Sequence, residues 1–164
     1  MSDFVTKLYT IILPLSLMPN IGDPLESLNA GVGGDRREAP SVADLLFRAL
    51  NMVFSPRAFG SAAPPWRSAA FAKRILIASL HWPPALTLRA LEFIGGLMHK
   101  DPKLEALLNT EDRTHDGVYR PDIDDPQLCS PFGTSFWELF IMQQSHFDHQ
   151  VREESIRLAK STLL

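Results

Sequence analysis

Residues Pro64–Lys100 read PPWRSAAFAKRILIASLHWPPALTLRALEFIGGLMHK. An Ala-rich run from Trp66 to Trp82 and a Leu-rich run from Pro84 to Lys100 lie on either side of Pro83-Pro84. Proline suits the first turn of a helix, where its missing N–H would have had no intrahelical partner. Pro84 therefore opens a second helix instead of breaking one. So short a link predicts two helices lying antiparallel. This hairpin sets the class.

Upstream, Ser41-Val-Ala-Asp44 is a capping-box pattern ahead of LLFRALNMVF. Leu46, Ala49, Leu50 and Val53 mark that helix's inward face. Phe4, Leu8, Ile11 and Leu15 form an earlier stripe at helical spacing, with Pro14 predicting a kink or an early end. The run LYTIILPLSLM is too short to cross a bilayer, and MSDFVTK is a poor positive leader, so a buried helix is expected there. Residues 19–40, rich in Gly and Pro, read as a flexible insertion. Their GVGGDRRE lacks the Gly-Lys-Ser/Thr ending of a phosphate-cradling loop.

Downstream, Asp101-Pro102 starts the short helix KLEALLN, and Ser135-Phe-Trp-Glu138 offers another capping box for FWELFIMQQS. The last helix is expected from near Asp148, with Val151, Leu158, Ala159 and Thr162 on one side and Glu153 paired to Arg157. Helix 136–145 is apolar on nearly every side and must be covered on several faces. Phe71, Trp137, Leu139 and Phe140 are the expected core. No segment reads as a strand. The expected fold is one all-α domain over residues 1–164, a HEAT- or armadillo-like solenoid of helical hairpins without a clean repeat period.

The chain has 164 residues and a formal charge of −3, which gives no support for a basic surface along its whole length. Its single cysteine, Cys129, forms no internal disulfide and suits a reducing compartment. Charge concentrates in a loop at 110–134. Between residues 111 and 125, six carboxylates face two arginines, a local −4. As a twelve-residue calcium loop starting at Asp112, this stretch fails at Ile123, where a bidentate Glu is required. The five histidines make no ligand pair at metal spacing, and Cys129 with His146 or His149 carries no nucleophile signature. The expectation is no enzyme, no metal and no cofactor.

The loop reads instead as an ordered strap. Pro121, Pro126 and Pro131 lower the entropy lost on ordering it, and Ile123, Leu128 and Phe132 anchor it. Its edge, Tyr119, Arg120, Asp122, Asp124 and Asp125, is the expected partner-facing surface. Arg67, Lys73 and Arg74 are the expected contacts for RNA phosphates, and Lys100 and Lys103 flank a helix junction. The alternative is that these bases merely populate the wet side of solenoid helices.

PPWRSAAFAKRILIASLHWPP, then DGVYRPDIDDPQLCSPFGTSFWEL, then HFDHQVREESIRLA, in this order, resemble the CCAAT-binding-factor (CBF) domain family. The resemblance runs over about residues 41–163, with FWEL where the family pattern has LWEL and HFDH where it has HYHP. It implies a nuclear, nucleolar scaffold for large-subunit ribosome assembly, ribosomal RNA processing and pre-ribosome transport. The implied partners are a second nucleolar complex subunit, in a heterodimer, and the pre-ribosomal particle with its RNA. The alternative is a chromatin-associated factor in replication initiation or transcription, with replication-origin proteins as partners. No membrane is implied, and the chain is expected to be a C-terminal fragment of a longer protein.

Overall fold

The computed structural model describes residues 2–25, 39–55, 63–109 and 117–160. The flexible insertion's GVGGDRRE at 31–38, the start of the rejected calcium-loop alignment at Asp112 and the position of Thr162 fall outside them. Among the described residues the structure is all-helical. Helix α1 spans Ser2–Ser16, α2 Val42–Val53, α3 Pro65–Ser79, α4 Pro84–Lys100, α5 Trp137–Ser145 and α6 His149–Lys160. Two 3₁₀ segments, Pro102–Leu108 and Pro131–Gly133, complete the order. The nearest thing to sheet among them is an isolated antiparallel bridge between Pro24 and Ser41.

Local chemistry explains the helix boundaries. Ser41 and Asp44 form a reciprocal capping box on α2, the Ser41 hydroxyl taking the Asp44 N–H at 3.0 Å and Asp44 Oδ2 taking the Ser41 N–H at 2.9 Å. Pro65 and Pro84 occupy the first turns of α3 and α4. Asp101 accepts from the Lys103 N–H, although the segment it opens is 3₁₀ and not α. Asp148 Oδ1 accepts from the Val151 N–H at the start of α6. The turn between α3 and α4 is tied by Thr87, whose hydroxyl reaches the carbonyls of Ser79, Trp82 and Pro83.

Helix α3 lies at the centre. It packs against α1, α4, α5 and both 3₁₀ segments, and every residue from Ser68 to Leu76 is buried. Its alanines at 69, 70, 72 and 78 leave room for neighbours on each side. Tyr9 and Phe54 meet Phe71 edge-on at 5.2 and 5.3 Å, and Phe47 meets Trp82 and Phe93 in the same way. Helix α6 closes the far side against α4 and α5.

Several expectations need correction. The buried stripe of α1 is Val5, Leu8, Tyr9 and Ile12, while Phe4 and Ile11 are exposed. The register is set by Tyr9 seating on Phe71. The helix also continues two residues beyond Pro14, where the Trp82 indole N–H bonds the Leu15 carbonyl. Ser135 does not cap α5. Phe136 holds the cap position, and its N–H is taken by the Leu107 carbonyl at 2.7 Å. Arg157 pairs with Glu154, and Glu153 with His149.

Candidate interaction surface and the buried lock beneath it

Lys73 and Arg74 are consecutive on α3, and because that helix has no wet side, both are fully buried. The exposure expected of them as RNA contacts is therefore wrong. Burying a charge requires a partner and hydrogen bonds to offset lost hydration, and the structure supplies both. Lys73 Nζ donates to Glu138 Oε1 at 2.5 Å and to the Ser135 carbonyl at 2.7 Å. It also lies 4.7 Å from the centre of the Trp137 ring and 5.6 Å from that of Tyr119. One ammonium thus fastens α3 to the start of α5. Burial pushes the Glu138 carboxyl above its ordinary range, and the attraction of Lys73 works against that rise.

Arg74 fastens the acidic loop. One terminal nitrogen donates to Asp124 Oδ1 at 2.8 Å and to the Tyr9 carbonyl at 3.2 Å. The other reaches the carbonyls of Ile123 at 2.9 Å and Pro121 at 3.1 Å. The guanidinium carbon lies 3.7 Å from the Tyr9 ring centre. Only a planar fork can serve acceptors from α1 and from two backbone positions of a loop at once. Beside it, the Tyr9 hydroxyl donates to Cys129 Sγ at 3.4 Å. Burial pushes the Cys129 thiol and the Tyr9 phenol upward, which keeps the sulfur in its inert neutral form.

The described part of the loop is held by its own backbone as well. The Arg120 N–H bonds the Cys129 carbonyl at 2.8 Å, and Asp125 closes a turn onto the Gln127 N–H at 2.8 Å. Gly117 has φ +85, and a Cβ on Gly133 would strike the Gly117 carbonyl oxygen, so the loop's two ends cross at backbone contact. Tyr119, Ile123 and Phe132 are half-buried against the core, but Leu128, expected as an anchor, is exposed.

Of the expected partner-facing residues, Arg120 and Asp122 form an exposed two-point ion pair at 2.9 and 3.1 Å. Asp124 is committed to Arg74, and Asp125 to its turn. Arg67 is half-buried, with its guanidinium 5.5 Å from the Trp66 ring centre. Phe71 and Leu139 are buried, whereas Trp137 and Phe140, expected in the core, face outward. Helix α5 is apolar from Leu139 to Met142 and polar in its last turn, and the residues that its neighbours bury are Glu138, Leu139 and Met142. Sequence reasoning missed Tyr9, Ser135 and Glu138 as lock components. The available signal was two cations inside an alanine-rich run, answered by a lone carboxylate inside an apolar one.

No group of three or more His, Cys, Asp or Glu side chains gathers to hold a metal among the described residues. No helix among them is long and apolar enough to cross a membrane. The buried ions fasten one loop and one helix to a central helix, which defines a helical structural domain.

The chain belongs to the CBF/Mak21 family, whose profile matches residues 1–155. The match begins at residue 1, so α1, which the motif resemblance had left outside, is part of the family unit. The chain is similar to nucleolar complex-associated protein 3 of Schizosaccharomyces pombe, 29% identical over 98% of this chain, and to that of Saccharomyces cerevisiae, 28% identical over 89%. Nucleolar complex protein 3 homolog of Danio rerio is 36% identical over 57% of this chain. The alignments span 22% of each yeast relative and 12% of the fish one. The DPQLC motif at Asp125–Cys129, beside GVYRP, already resembles this subfamily.

Proposed function

We propose that this chain is a non-catalytic interaction domain acting in the nucleus and nucleolus, in assembly of the large ribosomal subunit and processing of its RNA. The observation that carries the reading is membership of the CBF/Mak21 family together with similarity to nucleolar complex-associated protein 3 over nearly the whole chain. The internal arrangement supports it. Lys73, Arg74, Glu138 and Asp124 are committed to holding a loop and two helices in one body, which is how a rigid scaffold surface is made. In this reading the hairpin α3–α4, covered by α1 on one side and α6 on another, is one segment of a HEAT-like solenoid, and residues 117–134 are its strap. The partner is a second nucleolar complex subunit on the pre-ribosomal particle. Contact with RNA falls to exposed Lys100 and Lys103 at the end of α4, in place of Lys73 and Arg74.

The test is purification of the tagged full-length protein from nuclear extract, with sequencing of the RNA and identification of the proteins retained. Precursors of the large-subunit RNA with a stoichiometric protein partner are expected. Retention of chromatin proteins without ribosomal RNA precursors would overturn the reading.

A further inference from the structure

We draw no further inference here: the strongest candidate, the apolar cavity that Pro65 and Trp66 at the start of α3 line together with Lys103, Ala106 and Phe132, carries nothing, because nothing in the structure shows what covers it.

Discussion

Replacing Lys73 by Met tests the lock at its centre. The substitution keeps the length of the stem and removes the ammonium, leaving the Glu138 carboxylate buried with no cation and the Ser135 carbonyl without its donor. Glu138 Oε2 already lacks a hydrogen-bond partner among the described residues, so little else there can compensate. Breaking a buried pair from one side costs about 3–5 kcal/mol. Against a total of roughly 5–15 kcal/mol for a domain, that is a large share. The double variant Lys73→Met with Glu138→Leu removes both charges, and well-packed apolar replacement of such a pair is neutral or stabilising by about 1–4 kcal/mol. It should therefore recover most of the loss.

The assay is urea unfolding, reading the midpoint at constant slope. Acidification adds a second readout, with a definite sign. Glu138 has a folded pKa raised by burial, so the native state holds its proton more tightly than the unfolded chain does. The stabilising contribution is then fully present below the unfolded value and is lost as pH rises toward and through the folded one. Without Lys73 the rise is larger, so the deficit of Lys73→Met should shrink as pH is lowered. A loss below about 1 kcal/mol, as an exposed pair gives, or a double variant no more stable than the single, would refute the lock.

The remaining predictions concern neighbouring devices. Arg74→Lys should destabilise the chain by at least about 2 kcal/mol in urea, because an ammonium cannot serve the fork's four acceptors. Asp124→Asn, on the exposed end of the same pair, should cost under about 1 kcal/mol. Asp44 accepts from the Ser41 N–H, Arg89 and the Ser41 hydroxyl, which hold its carboxyl down at about 2. The contribution is present above the ordinary carboxylate value of 3.8 and is lost as pH falls toward 2, so the acid-unfolding curve of Asp44→Asn should be flatter in that window. Gly133→Ala should lower stability by about 1–3 kcal/mol through its clash with Gly117, whereas Gly96→Ala, in open space on a helix, should raise it by about 1 kcal/mol. Trp137→Ala should stay folded and lose clearly less than the about 3–5 kcal/mol of a fully buried tryptophan.

Backbone chemistry was the legible part of the sequence. Pro83-Pro84 located the α3–α4 turn, Ser41 and Asp44 the start of α2, and Asp101 and Asp148 the later starts, because each acts through bonds within a few residues of itself. Facing was not legible where composition left it open. A run such as AFAKRILIA is compatible with a wet side at Lys73 and Arg74, and only packing on all sides turns them inward. In α5, where six of the first seven residues from Phe136 are apolar, periodicity cannot say which face is covered. The capping reading of Ser135 failed for a tertiary reason. Its carbonyl is claimed by Lys73, and the following N–H by Leu107.

These inversions change what a mutation can reveal. Charge reversal at Lys73 or Arg74 would put a carboxylate next to Glu138 or Asp124 inside the core, and binding of every kind would be lost with the fold. Loss of RNA binding in such a variant would carry no information about RNA. The informative reversal is at Lys100 and Lys103, which are exposed. Phosphate contacts there would make affinity fall with salt by roughly one counterion per contact. The Lys100→Glu, Lys103→Glu chain should then melt close to the parent while its salt slope becomes shallower. An unchanged slope in a folded variant would take RNA away from this end of α4.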